Sequence, residues 1–191
     1  MSNPSPIHWT TAKCALCYIK GTLNLGITYL SLNLDPYSYS DANWGTNLTD
    51  RRLVSGYTIM FGGGAISWYS KKQPTVALST MEAEYMALSN TTCECLWIRE
   101  LLTELRILPN GSTLINVNNQ AAIKFTENSQ FHAQSKHIDI CHHFIWEHIA
   151  SNEFSVQYYA TENNLADIFT KALPKAKHEH FAKLLGMTRT T

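Results

Sequence analysis

Three consecutive glycines, Gly62-Gly63-Gly64, separate two short β-prone runs, residues 56–61 and 65–70. Such a turn closes a hairpin, because glycine adopts positive φ without steric cost. A third β-prone run, Tyr37 to Trp44, precedes the pair just after Pro36. Downstream the periodicity changes from two to about 3.6. Ser79 or Thr80 caps a long helix running to about Leu105, with a break expected near Thr91 and Thr92. A strand at Leu114 to Val117 follows, then helices over Gln120 to Glu127 and Ser135 to Ala150, a strand at Phe154 to Tyr159 and a helix from Asn164 to Ala172. The order βββαβαβα predicts an α/β fold. Its mixed five-stranded sheet is antiparallel first and parallel afterwards, and it is flanked by helices. Ahead of it, Trp9, Ala12, Leu16 and Ile19 at helical spacing predict a lead-in helix over His8 to Lys20, stopped by Gly21.

A chain of 191 residues, 45% of them hydrophobic, is long enough to bury one core. No apolar run approaches the roughly 18 residues of a membrane span. The start MSNPSPIHW lacks the charged and apolar regions of a signal peptide, and five cysteines cannot all pair internally. These features lead to the expectation of a cytoplasmic protein with free thiols. Lysine plus arginine equals aspartate plus glutamate at 15 each, which argues against a strong non-specific nucleic-acid binder but leaves room for a local basic stripe.

With so few acidic residues, their positions carry weight. Asp41 lies within the first strand, between Tyr39 and Asn43 on one face, where an unpartnered charge is costly. The alternative is an edge-strand aspartate facing water. On the long helix Met81, Tyr85 and Leu88 share a face; Glu84 lies roughly 60° from its centre and Glu82 roughly 100°. Glu84 therefore borders the core and Glu82 belongs to solvent. In the last helix Leu165, Ile168, Phe169 and Ala172 form the buried stripe, and periodicity alone puts Asp167 on the surface. One chemistry would unite Asp41, Glu84 and Asp167: a two-metal phosphodiester hydrolase, in which carboxylates from several elements hold two Mg²⁺ ions about 3.5–4 Å apart. Spacing does not show that they meet.

The segments YSDANW (39–44), STMEAEYMAL (79–88), NNQAAI (118–123), KHIDICHHFI (136–145) and NLADIFTKALP (164–174) together closely resemble the ribonuclease H domain of copia-type long-terminal-repeat retrotransposon Pol polyproteins. The resemblance covers about residues 37–186, and HWTTAK...YIKGT (8–22) looks like the tail of the preceding reverse-transcriptase region. The expected organisation is a reverse-transcriptase or connection tail over 1–36, a ribonuclease H-like domain over 37–186 and a C-terminal tail over 187–191. The family implies a two-Mg²⁺ enzyme cutting the RNA strand of RNA–DNA hybrids with four acids. It also implies a reverse-transcriptase partner in the same polyprotein, no membrane association and, for an intact element, a virus-like particle. By motif the catalytic and metal-binding acids fall on Asp41, Glu84 and Asp167, with His137 as a possible auxiliary group.

At the third acid this chain departs from the pattern. Family members typically read Cys-Asp-Asn-Gln where this chain has Val117-Asn118-Asn119-Gln120, so Asn118 stands at a metal-ligand position. An amide oxygen is a possible Mg²⁺ ligand, but it brings no negative charge and cannot bridge two cations as a carboxylate does. Impaired catalysis is the expectation; a non-catalytic hybrid-binding module and an inert relic are the alternatives. The family also commonly has arginine where this chain has Cys14, Cys17, Gln134, Cys141 and Trp146, and threonine at Met81. Each exchange is reachable by one C-to-T or G-to-A transition. The expected nucleic-acid contacts are Lys71, Lys72 and Gln73 with Arg51 and Arg52, because hybrids are read through phosphates and shape. Trp44, Trp68 and Trp97 read as core aromatics rather than stacking platforms, most histidines as helix-surface or partly buried residues, and zinc spacing is not matched by the Cys and His clusters.

Overall fold

The computed structural model describes residues 4–30, 34–43, 53–77, 79–107, 111–127 and 136–190, with the side chains of 136–138 excepted. Trp44, Arg51, Arg52, His132, Gln134 and the side chain of His137 therefore lie outside the described residues. In chain order the elements begin with α1 (Pro6–Gly21), β1 (Leu25–Ile27), β2 (Tyr37–Asn43), β3 (Val54–Phe61), β4 (Gly64–Lys72) and α2 (Thr80–Glu104). They continue with β5 (Thr113–Val117), α3 (Gln120–Glu127), α4 (Lys136–Ala150), β6 (Phe154–Tyr158), a 3₁₀ turn (Thr161–Asn163), α5 (Asp167–Thr170), α6 (Lys175–Leu184) and β7 (Met187–Arg189).

The main sheet has five strands in the order β4-β3-β2-β5-β6. β2, β3 and β4 are antiparallel neighbours, and β5 and β6 run parallel to β2, as the βββαβαβα pattern predicts. Gly62 and Gly63, with φ of 60° and 87°, make the hairpin turn that residues with a Cβ resist. Ser79 caps α2, its Oγ accepting from the Glu82 amide at 3.1 Å. The helix does not break at Thr91 and Thr92. Their hydroxyls instead donate back to the Ala87 and Leu88 carbonyls, so both polar groups are satisfied inside a buried, continuous helix.

The sheet carries a core on each face. On one, Tyr57, Ile59, Ile115 and Val117 meet α2 through Ala83, Tyr85 and Leu88. α3 and α4 close over the outer side of α2, with Phe125 edge-on to Tyr85 at 4.6 Å. On the other face Tyr39, Met60 and Ala65 meet Leu165, Ala166, Phe181 and Leu185. β1 and β7 form a separate two-stranded antiparallel sheet, joining residues 25–27 to 187–189. α1 buries none of its residues and presents Trp9, Leu16, Tyr18 and Ile19 at its surface.

Several expectations are corrected. Trp68 and Trp97 are 55% and 56% exposed, because Trp68 lies on the edge strand β4 and Trp97 on the outward side of α2. Most of the described histidines do lie at the surface or half-buried, while His142 is fully buried, its Nε2 3.2 Å from the Phe125 carbonyl. The helix expected over Asn164 to Ala172 shrinks to the single turn of α5, preceded by the 3₁₀ turn.

What lets α5 approach the sheet is Gly56, which pairs with Asp41 across β2 and β3. A Cβ at Gly56 would lie 2.6 Å from Thr170 Cγ2, 3.0 Å from Phe169 Cβ and 3.3 Å from the Ala166 carbonyl oxygen. The nearest is the methyl of Thr170, whose hydroxyl is tied to Asp41, and the other two are a Cβ and a backbone oxygen that cannot swing aside. Gly56→Ala is predicted to destabilise the protein by about 1–3 kcal/mol, the usual cost of overpacking. Chemical denaturation of the two proteins checks it, and an unchanged midpoint would contradict the close approach.

Candidate active site

β2 and β5 are parallel, and Ser40 lies opposite Val117. The next residues, Asp41 near the carboxyl end of β2 and Asn118 just past the end of β5, therefore lie side by side, where open α/β sheets place their ligand crevice. Asn118 Nδ2 donates to Asp41 Oδ1 at 2.9 Å. Asp41 is 1% exposed, and its Oδ2 accepts from the Thr170 hydroxyl. Asn118 Oδ1 is buried and has no hydrogen-bond partner.

Glu84, 8% exposed on α2, accepts from the Ala42 backbone N–H at 3.0 Å and so closes on the same strand end from the opposite face of the sheet. Burial, then the neighbouring Asp41 carboxylate, raise its pKa from 4.5 to about 8, although the Ala42 N–H and Lys171 favour its charged form.

Asp167 arrives from the α5 side. It is not on the surface but 2% exposed, and the reason for the difference is local. With only four helical residues, α5 has no continuous 3.6-residue face, and Leu165 and Ala166 are buried in the turn before it. Asn164, fully buried, fixes that turn: its Nδ2 donates to the Ser40 carbonyl at 2.9 Å and its Oδ1 accepts from the Ala166 N–H at 3.0 Å. Asn43 Nδ2 to the Thr170 carbonyl at 3.3 Å and Ser70 Oγ to the Phe169 carbonyl at 2.6 Å pin the other end. Asn164 is a positioning residue that the sequence reading missed; its place in NNLAD, before a helix that begins with an acid, was the available signal.

Two lysines, also missed, complete the site. Lys171 Nζ lies 2.6 Å from Asp167 Oδ1 and 3.6 Å from Asp41 Oδ2. The Asp167 contact is an ion pair, Oδ1 being otherwise without a hydrogen-bond partner. Lys177, from α6, donates to Asp167 Oδ2 at 3.0 Å. Partial burial works against the Lys171 charge, but Asp167 and Asp41 outweigh it and hold its pKa above the ordinary lysine value.

The structure thus brings together Asp41, Glu84, Asp167 and Asn118, all four positions singled out by motif. The expected nucleic-acid group is divided. Lys71 and Lys72 are exposed at the end of β4. Gln73 is not an exposed contact: it is 2% exposed, and its Nε2 donates to Ser55 Oγ at 2.8 Å and to the Ala83 carbonyl at 3.0 Å, tying β3 to α2. Asn119 and Gln120 play no part in the cluster. Asn119 Oδ1 caps α3, accepting from the Ala121 and Ala122 amides, and Gln120 is exposed.

A mixed five-stranded sheet with this order, and acids converging at the end of its central strand, is the ribonuclease H fold. The crystal structure of LC11-RNase H1 in complex with an RNA/DNA hybrid superposes with a TM-score of 0.51 at 14% identity, over 71% of this chain and 94% of that one. No family model matches the chain. Among curated proteins it is 37% identical over 187 residues to the retrovirus-related Pol polyprotein from transposon TNT 1-94 of Nicotiana tabacum, covering 98% of this chain and 14% of that protein. It is 38% identical over 190 residues to the corresponding polyprotein from transposon RE1 of Arabidopsis thaliana, covering 99% and 13% respectively. The chain belongs to the copia-type retrotransposon Pol family, and it spans only that small part of these relatives' length.

The raised pKa of Glu84 has a measurable sign. Between about pH 4.5 and 8 the folded protein keeps a proton that the unfolded chain releases, so this residue makes the fold progressively less stable as pH rises through that window. Glu84→Gln keeps an acceptor for Ala42 and removes the titration. The variant is predicted to match the parent near pH 4.5 and to exceed it by on the order of a few kcal/mol at pH 8–9. Thermal unfolding across pH checks this; an equal gap at every pH would contradict it.

Proposed function

We propose that this chain is a retrotransposon ribonuclease H domain that engages RNA–DNA hybrid beside a reverse-transcriptase domain of the same polyprotein, and that its hydrolytic step is crippled at Asn118. The observation that carries this reading is the Asn118 to Asp41 hydrogen bond. At the strand end where the family places an acid, an amide N–H points at the neighbouring acid and uses one of its oxygens.

The family implies two Mg²⁺ ions, and the residues present do not fit that pair. Asn118 contributes no charge, its Nδ2 is turned to Asp41, and Lys171 and Lys177 lie against both oxygens of Asp167. Among the described residues, no three His, Cys, Asp or Glu side chains form a group able to hold a metal ion. Asn118 Oδ1 is buried in the cluster without a hydrogen-bond partner. Recognition of the hybrid does not need these groups. Lys71 and Lys72 are the described cations proposed to meet its phosphates, and Trp68 on the same strand adds an exposed aromatic face.

Cleavage of a labelled RNA–DNA hybrid by the parent protein and by Asn118→Asp, side by side with Mg²⁺ or Mn²⁺, tests the proposal. A loss of about 4 kcal/mol of barrier lowering corresponds to roughly 10³ in rate, so the variant is predicted to cut on the order of 10³ times faster while both bind hybrid. Equal, rapid cleavage by the parent would overturn the reading.

A further inference from the structure

The carboxylate cluster already holds cations, and they are covalently part of the chain. Lys171 follows Asp167 by four residues, and its ammonium lies between two carboxylates carried by different elements, Asp167 before α5's single turn closes and Asp41 at the end of β2. A group with positive charge shared by two acids from separate elements is in the position that a divalent ion would need. Lys177 meets Asp167 from the α6 side, its ammonium also lying over the Phe181 ring at 4.9 Å. With Asn118 neutral, the two ammonium groups match the charges of Asp41 and Asp167 one for one, and Glu84 is the remaining acid, held by the Ala42 N–H on the far side of β2. Lys171 is only partly exposed, at 28%, so its ion pairs are not ordinary surface contacts diluted by solvent.

Resting on the reading that Asn118 stands at a former acid position, we propose that Lys171 is a resident counter-ion that competes with divalent cations for Asp41 and Asp167. The neutral Asn118 tips that competition toward the lysine. A fourth carboxylate would add a negative charge beside Asp41 that the two lysines do not balance, and a divalent ion would then displace the ammonium. With an amide there, the cluster carries one negative charge fewer to draw a dication, and a dication entering it meets Lys171 at close range in a partly desolvated site, where like charges repel strongly. Lys171 thereby acts as an autoinhibitory contact built into the motif that carries Asp167. It is not a catalytic residue, since its effect is exerted through the occupancy of two others.

The test is calorimetric titration of Mn²⁺ into the parent protein, Lys171→Met, Lys171→Gln and Asn118→Asp, without nucleic acid. The parent is expected to show no site tighter than millimolar, and both Lys171 variants to bind Mn²⁺ on the order of tenfold or more tightly, as expected from removing a like charge within a few ångströms. Equal affinity in parent and folded Lys171 variants overturns the proposal. Should both variants fail to fold, the parent alone decides by NMR: Mn²⁺ at sub-millimolar concentration that selectively broadens the amide signals of Asp41 and Asp167 contradicts a resident counter-ion, and unbroadened signals support it. The Asn118→Asp arm separates the two readings. A gain there with none in the Lys171 variants leaves the Asn118 defect standing and removes Lys171 from the competition. A gain in the Lys171 variants with none in Asn118→Asp supports the counter-ion, overturns the part given to Asn118 in the competition and places the catalytic defect elsewhere.

Discussion

A fully buried carboxylate near the end of a central strand must be met by positive charge or by donors, and Asp41 is met by three groups from two places in the chain. Asn118 reaches it from the neighbouring parallel strand, the Thr170 hydroxyl from α5, and the Lys171 ammonium from the residue beyond α5. An isolated charge in that position would cost several kcal/mol or would shed its charge. Much of the local architecture serves this one residue. The β2–β5 register sets Asn118 beside it, the missing side chain at Gly56 lets α5 come close, and Asn164 ties the turn before α5 to the backbone of β2.

The same arrangement explains how acids from α2 and α5 come to share one site although those elements cover opposite faces of the sheet. Side chains alternate along β2, so Ser38 meets Cys95 of α2 while Tyr39 joins the core beneath α6. Only at the strand end do the two faces meet. Glu84 takes the Ala42 N–H there, and Asp167 shares Lys171 with Asp41. The cost of gathering buried acids falls on Glu84, whose pKa is pushed up to about 8 by burial first and by the Asp41 carboxylate second. Two lysines face this cluster of three carboxylates and an amide, Lys171 between Asp167 and Asp41 and Lys177 on Asp167.

The βββαβαβα order and the mixed, antiparallel-then-parallel pairing were legible because each rests on local chemistry, a glycine turn, a capping serine, a change of period, whereas β1, α6 and β7 were not foreseen. Buried Asp41 and Glu84 were legible too, since each sits beside apolar residues in a strongly periodic element. Asp167 was found by motif against its periodicity, and the structure shows why periodicity failed, the helix being a single turn. What sequence did not reveal was set by tertiary contact. Gln73 looks like part of a basic loop, yet it is buried against Ser55 and Ala83. Trp68 and Trp97 look like core residues, yet each falls on the outer side of its element. Lys171 and Lys177 carry no periodic signal, and their importance appears only once α5 and α6 are folded against β2.

A departure at one strand end therefore has consequences through the whole cluster, because the charge of residue 118 decides whether an added dication or a resident lysine balances Asp41. The most direct measurement is the anomalous scattering of manganese in crystals of the unaltered protein grown in millimolar Mn²⁺. The account predicts Lys171 Nζ between Asp41 and Asp167 with no anomalous peak there. A pair of peaks about 3.5–4 Å apart, with Lys171 turned away, would contradict it.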